Sequence, residues 1–493
     1  MKKKKIIVIG AGPGGLAVAL LLSHRGHEVV VYEKKPVVGG RNAALHLEEY
    51  TFDTGPTFLS MVPVLEGIFA ETGRKLPDYL ELQKIDPMYR LAFDRHRQLL
   101  ATNDPEKMAA EIDRLFPSHS AGYTRFLRRE AKKYRKLVPC IELPYSSVRD
   151  LIRPRVLRAL PHASIFSSLM GVMGHYYRHP DLKIAFTFQA KYIGMSPWQA
   201  PGLFSILSYI EHDGGIYHVQ GGLNQLSLAL ARAALEEGTD IRTGRAVREV
   251  IVRDRTARGV KLSDGSKETA DAVIINADFA HAMTRMIPPR HRKKYSDEKL
   301  ARKKYSCSTF MLYLGIDKIY REIPHHNLIF GPDYRRFVRD ISRDLPLGTE
   351  PSFYFQNAAV TDSTLAPEGH STIYALFPVS NNRSGIDWES QRDRFRQKAL
   401  DLLESRGGLT GLKKHIRVEK VITPRDWEQQ HDVYLGATFN LGHQLSQMLI
   451  FRPHNRFEEF ANCYLVGGGT HPASGLPTIY MSARITADLI TRG

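Results

Sequence analysis

The first forty residues constrain the rest of the chain more than any other stretch. They open with KIIVIGAGPGGL, Lys5 to Leu16. Ile6 to Ile9 are four apolar residues in a row, which reads as a strand buried on both faces. Gly10, Gly12 and Gly15 come next in the spacing G-x-G-x-x-G, with Pro13 and Gly14 between the last two. Leu16 to His24 is apolar enough for a buried helix, and Glu28 to Tyr32 reads as a second strand that ends on Glu33 and Lys34. Each part has a mechanical reason: Gly10 permits a tight turn, Gly12 lets backbone approach a pyrophosphate, and Gly15 lets helix and strand pack closely. The free N–H groups of the helix start then face the phosphates. Glu33 stands where an acid should meet a ribose hydroxyl. A plain strand-turn-helix would leave Glu33 without a purpose, so the stretch is read as a dinucleotide-binding unit.

The residues after Glu33 decide which dinucleotide. VVGGR (Val37 to Arg41) comes at once, then FDTGPT (Phe52 to Thr57). A nicotinamide-binding unit has no need of a second glycine pair and an arginine after the ribose acid. FAD does, because its isoalloxazine is carried further along the protein. Gly39 and Gly40 would bring backbone close to the cofactor, and Arg41 can pair with a pyrophosphate through its planar fork. The alternative for Arg41 is a solvated surface side chain. Gly55, Pro56 and Thr57 are expected beside the cofactor. On these residues the chain resembles the superfamily of FAD-containing amine oxidases and carotenoid desaturases.

At 493 residues the chain is too long for one simple core, and two intertwined domains are expected. Its formal net charge of +17 suits nucleic acid, an anionic membrane surface or an acidic substrate. No RNP, zinc-finger or helix-turn-helix signature accompanies the charge, so no nucleic-acid partner is expected. Cys140, Cys307 and Cys463 are far apart and form no C-x-x-C, which suggests neither a zinc site nor a redox pair. No metal is expected. The apolar run after the basic Met1 to Lys5 is broken by the glycine cluster, unlike a signal peptide, and no run long enough for a membrane-spanning helix is present. The expected location is cytoplasmic, peripheral on the inner face of the cell membrane.

Helical spacing predicts helices over Val64–Thr72 and Pro105–Phe116, and a basic amphipathic helix over Ser118–Lys136, with Tyr123, Phe126, Leu127 and Tyr134 opposite Arg125, Arg128, Arg129, Lys132, Lys133, Arg135 and Lys136. Residues 137–212 mix prolines, aromatics, methionines and flanking arginines, as would a helical lid over a greasy ligand or a patch that dips into one leaflet. An ordinary helical core reads similarly residue by residue. The chain then returns to the nucleotide sheet through TGRAVREV and ADAVIINAD, which places Val247 near the adenine. Phe310–Ile316 and Ser371–Pro378 read as strands of a substrate sheet, and Trp388–Ser405 as a helix. The expected fold is α/β. A Rossmann-type FAD-binding domain (1–70, 214–300, 431–493) interleaves with a mixed-sheet substrate domain (71–117, 301–430) and a helical, membrane-associating lid (118–213).

The second strong signal is NCYLVGGGTHPASGLPTIYMSAR, Asn462 to Arg484. A short strand, a glycine loop and a helix start at Leu476 would lay backbone and a helix N-terminus against a flavin. Gly468, Gly469, Thr470, His471, Leu476, Pro477 and Thr478 are its candidate contacts. This segment resembles the C-terminal signature of the bacterial phytoene and 4,4'-diapophytoene (dehydrosqualene) desaturases. YIGMSPWQAPGLFSI (192–206), GGIYHVQGGLNQL (214–226), YSCSTFMLYLGID (305–317), HHNLIFGPDYR (325–335), DSTLAPEG (362–369) and FRPHNR (451–456) resemble the same family, so the likeness spans the chain.

The resemblance implies removal of hydrogen from a linear C30 or C40 carotenoid precursor. FAD would take a hydride from an allylic carbon, and a quinone or oxygen would reoxidise it. Such a hydrocarbon offers nothing polar to grip, so binding must come from buried apolar area. No catalytic residue is assigned. His471, Glu211, His212 and Asp213 are candidate proton acceptors, each with an equally good structural reading. Three other readings stay open: a carotenoid oxygenase or ketolase, an amine or porphyrinogen oxidase, and a prenyl-binding escort protein of the GDP-dissociation-inhibitor kind.

Overall fold

The computed structural model describes residues 2–492. Its organising element is a five-stranded parallel sheet in the order Cys463–Leu465, Ala272–Ile275, Lys5–Ile9, Glu28–Tyr32, Asp240–Arg242. Ile6 pairs with both Val29 and Ala272, and Ile6, Ile7 and Val8 are fully buried. That double burial explains the uninterrupted apolar run. The chain leaves the first strand on one side and returns on the other, so a crevice opens at the carboxyl ends of the central strands.

The first helix runs Pro13–His24, three residues earlier than the apolar run suggests. Pro13 tolerates a first-turn position because its missing N–H has no partner there anyway. Gly14 to Ser23 are all buried, as the helix packs between Gln225–Glu236 and Leu476–Arg492 on one face of the sheet. Each fully buried leucine contributes about 1.5–3 kcal/mol. The two ends of the chain therefore share one core.

A second, mixed sheet has seven strands. In order they are Ile416–Ile422, Ser308–Ile316, Ser371–Val379, Phe353–Asn357, His326–Ile329, Tyr89–Ala92 and Gln98–Ala101. Only the His326–Ile329 and Tyr89–Ala92 pair is parallel. All seven come from residues 71–117 and 301–430. Ser308–Ile316 is buried along its whole length, central between two long neighbours.

Residues 118–213 form helices joined by loops, led by Ser120–Ile141, which continues five residues past the expected end at Lys136. One expectation fails here. Lys133 is expected on the outer basic face, but it is buried. Its Nζ donates to Glu130 Oε1 (3.0 Å) and Ser205 Oγ (2.7 Å), and burial lowers its pKa. Among the described residues no helix is long and apolar enough to cross a membrane.

Candidate active site

The glycine turn is held by backbone geometry. Gly10 has φ +98°, a conformation that a side chain resists. Its N–H donates to Tyr32 O (2.8 Å), while Asn276 Nδ2 donates to its carbonyl (3.0 Å). A Cβ on Gly15 would run into that same carbonyl. Gly12 precedes the helix and offers no side-chain cap, so the first-turn N–H groups stay free for an anion. Glu33 is buried but not idle. Oε2 accepts from Ala11 N–H (2.8 Å) and Oε1 from Lys35 N–H (2.9 Å), which fixes the carboxylate at the end of its strand.

One cavity of about 820 Å³ connects this turn with the C-terminal loop and the seven-stranded sheet. Gly10, Gly12, Pro13, Gly14, Glu33, Lys34, Gly40 and Arg41 line it, and so do Gly55, Pro56, Thr57, Val247, Gly468, Leu476 and Pro477. Arg41 Nη1 donates to Thr438 O (2.8 Å), and Lys34 forms an ion pair with Asp432.

Six candidates do not line the cavity. Gly15 packs under the turn, and Gly39 (φ +111°) donates to Ala11 O (2.8 Å), so both shape the wall from behind. Gly469 faces inward, where a Cβ would meet Phe279 and Asn440. Thr470 Oγ1 donates to Pro453 O (2.5 Å). Thr478 Oγ1 bonds back to Ala473 O (3.0 Å) and Gly475 O (2.9 Å) within its own helix start. His471 is fully buried against Tyr145, and its Nε2 bonds to Ile141 O (3.0 Å) in the helical region. Burial lowers its pKa to about 3. It fastens the loop to the long helix and does not reach the cavity.

The sequence reading missed the residues that organise the loop. Asn276 wedges between the two glycine segments, and Asp278, Gly467, Ser474, Gly475 and Ile479 line the cavity. Asp278 is partly buried, which raises its pKa, and it accepts from Asn440 Nδ2 (2.7 Å). Asn276 and Asp278 end the apolar strand in IINAD, where polar residues directly after a buried strand were a usable signal. Behind the loop, fully buried Arg452 donates from Nε to Thr470 O (2.9 Å) and from Nη2 to Gly468 O (2.5 Å).

The far part of the cavity is an apolar corridor. Phe58, Phe188, Tyr192, Met311, Leu328, Phe330, Tyr334, Phe337, Phe353 and Leu376 line it, with Tyr354 and Tyr374 beside them. Three tyrosines tie the sheet to the 54–57 segment: Tyr313 donates to Thr54 O (2.9 Å), Tyr374 to Gly55 O (2.9 Å), and Tyr354 bonds Thr57 Oγ1 (2.8 Å). The Lys191 ammonium also lies on this wall without a hydrogen-bond partner, and burial lowers its pKa to about 8. None of Glu211, His212 and Asp213 lines the cavity. Glu211 accepts from Gln189 (2.9 Å) and Tyr89 (3.2 Å), and burial raises its pKa to about 7. His212 stacks on Phe186 with ring centres 4.8 Å apart, and Asp213 is exposed.

Residues 13–491 match the family described as flavin containing amine oxidoreductase. The chain is 48% identical over 489 residues to the 4,4'-diapophytoene desaturase (4,4'-diapolycopene-forming) of Methylomonas sp, covering 99% of this chain and 95% of that one. It is 37% identical to the all-trans-zeta-carotene desaturase of Myxococcus xanthus, covering 99% and 93%. Among solved structures an oxidoreductase from Methanosarcina mazei superposes with TM-score 0.67 at 17% identity, over 99% of this chain and 100% of that one. The free helix N-terminus, the buried acid at the end of the second strand and the glycine walls fit a flavin nucleotide, and the chain belongs to the carotenoid desaturases, enzymes of the flavin containing amine oxidoreductase family.

Proposed function

We propose that the chain binds FAD and desaturates a linear carotenoid precursor, with 4,4'-diapophytoene as its first substrate. The observation that carries this reading is the single cavity, polar and glycine-walled at one end and aromatic and aliphatic at the other. The 48% relative named for 4,4'-diapophytoene favours the thirty-carbon precursor over the forty-carbon one.

Glu33 and Val247 would hold the adenosine end. The free N–H groups at Pro13–His24 and the Arg41 fork would hold the pyrophosphate, and the walls at Gly55–Thr57, Gly468 and Leu476 would hold the ring. When bound, FAD supplies the two-electron acceptor for a hydride from an allylic carbon. The corridor's task is position. Aromatic walls exclude water and hold a flexible hydrocarbon with one carbon in reach, and reacting atoms need roughly 3–3.5 Å. Reoxidation would fall to a membrane quinone or oxygen.

We also propose that the protein sits on an anionic membrane surface, where such a precursor dissolves. Val148, Ile152, Leu157, Leu160 and Phe166 are exposed in one stretch, with Phe166 98% exposed. Leu449–Phe451 packs beside Val148–Ile152 and adds exposed Phe451. Arg149, Arg155 and Arg158 stand exposed among them. Apolar side chains ringed by arginines suit insertion into one leaflet.

The test is expression in cells that make either the thirty-carbon or the forty-carbon colourless precursor, with pigments identified by absorption and mass. Conjugated product from the thirty-carbon strain supports the reading. Colourless cells in both strains, with the protein folded and flavin-loaded, refute it.

A further inference from the structure

Three sequence blocks with no role in holding a flavin meet in one buried place. His218 comes from GGIYHVQGG, His325 and His326 from HHNLIFGPDYR, and Asp362 from DSTLAPEG. All four are at most 3% exposed. His218 Nε2 lies 2.8 Å from Asp362 Oδ2, the His218 and His325 rings are 5.0 Å apart, and those of His325 and His326 are 4.3 Å apart. Gln356 Nε2 donates to His325 Nε2 (2.9 Å), which leaves Nδ1–H for Thr361 Oγ1 (2.8 Å), and Thr361 is partly exposed. His218 Nδ1 and His326 Nε2 have no partner.

The cluster touches the corridor at one point. His326 Nδ1 is 2.7 Å from Tyr354 Oη, and Tyr354 Oη is 2.8 Å from Thr57 Oγ1. Thr57 and Tyr354 both line the cavity, and Thr57 adjoins the Gly55–Pro56 wall expected beside the flavin ring. No group of three His, Cys, Asp or Glu among the described residues is placed to hold a metal ion, so metal binding does not explain why these side chains are buried together. Buried imidazoles with unused ring nitrogens are costly unless they serve a purpose.

We propose that Thr57, Tyr354 and His326 form a proton wire that carries the substrate's proton from the corridor to the buried His326. This rests on the desaturase reading. Desaturation breaks two C–H bonds and makes one C=C bond. One hydrogen would leave as a hydride, with both its electrons, to the flavin that the glycine-walled end would hold. The other leaves as a proton, and its bonding pair becomes the new π bond. That proton passes to Thr57 Oγ1 or Tyr354 Oη. On the first route Thr57 hands its own hydroxyl proton to Tyr354 Oη, and on either route Tyr354 hands its own to His326 Nδ1, so each oxygen ends with the protons it began with. The added proton sits on His326, whose Nε2 has no partner, and burial lowers its pKa to about 3, so it accepts only from a donor as acidic as the substrate cation and gives the proton up again at neutral pH. The catalytic residues are Thr57 and Tyr354. His326 acts through Tyr354 and ends the wire.

The test mixes flavin-loaded protein anaerobically with the colourless precursor in phosphatidylcholine vesicles and follows flavin bleaching in H2O and D2O. Without a proton acceptor the cation takes its hydride back, so bleaching slows. Tyr354→Phe is expected to slow it by about 10²-fold or more, within the range for general acid–base groups. It should also abolish the D2O effect seen in the parent, while flavin content and thermal midpoint hold. If Tyr354→Phe sheds its flavin, His326→Gln, which keeps the Thr57–Tyr354 contact, carries the same test with a slowing of about 10-fold or more. Variants that bleach within about threefold of the parent, with an unchanged D2O effect, overturn the wire and leave the desaturase reading standing. A parent protein that neither bleaches nor makes conjugated product overturns both.

Discussion

Arg452 holds the C-terminal glycine loop from behind, its guanidinium donating to the carbonyls of Gly468 (2.5 Å) and Thr470 (2.9 Å). Its Nη1 has no partner, and burial alone pulls its pKa down to about 9, so it stays charged at neutral pH. Arg452→Met removes a costly buried charge but strands two carbonyls, each worth about 1–3 kcal/mol when unsatisfied. The loop is then free to turn its carbonyls toward the cavity. Flavin affinity is expected to fall by roughly 10-fold or more, the equivalent of about 1.4 kcal/mol. Flavin absorbance per protein and a fluorescence titration measure it.

Gly15→Ala is expected to act against helix propensity. Alanine in a helix interior normally stabilises by about 1 kcal/mol. Here the added Cβ meets the Gly10 carbonyl and the Asn276 amide, both part of the nucleotide turn. The variant should purify without flavin and unfold at a lower temperature. A flavin-replete variant with a raised midpoint would contradict the packing described.

Glu211 gives a pH signature. Burial raises its pKa from 4.5 to about 7. Between those values the folded protein holds a proton that the unfolded chain has lost, so this group's contribution to stability falls as pH rises. The full effect is on the order of 3 kcal/mol above pH 7, at about 1.4 kcal/mol per unit. Glu211→Gln should match the parent in urea unfolding near pH 4.5 and exceed it increasingly up to pH 7. A difference that stays flat across that range would contradict the burial.

Phe166→Glu together with Phe451→Glu should weaken binding to vesicles rich in anionic lipid, since both apolar side chains are exposed on the face proposed to meet the membrane. Flotation measures it, with product formation from detergent-dispersed precursor as the control for folding. Equal flotation of variant and parent would remove this patch as the membrane contact.

Much of the nucleotide half was legible because its signals are local. Four apolar residues, three glycines and an acid describe a strand, a turn and a buried carboxylate at the next strand's end without reference to distant chain. Asn276 was not legible in the same way, since its wedge position depends on the Ala272–Ile275 strand pairing beside Lys5–Ile9. The C-terminal loop defeated the reading for another reason. A glycine-rich loop has no periodicity to tell which residues face inward, so Gly467 and Gly468 line the cavity while Thr470 and His471 turn away. Lys133 was readable and missed. Tyr123, Phe126, Glu130 and Lys133 are spaced three, four and three apart, one face of a helix, and that face is buried.

The measurement that bears most directly on the whole account is the visible spectrum of purified, flavin-loaded protein mixed anaerobically with 4,4'-diapophytoene in vesicles. Loss of the oxidised flavin band, matched by a new conjugated-polyene band in equal amount, is the expected result. A flavin band that persists with the precursor in excess, in protein shown to hold FAD, would contradict the joining of the two chain ends around one flavin beside a hydrocarbon corridor.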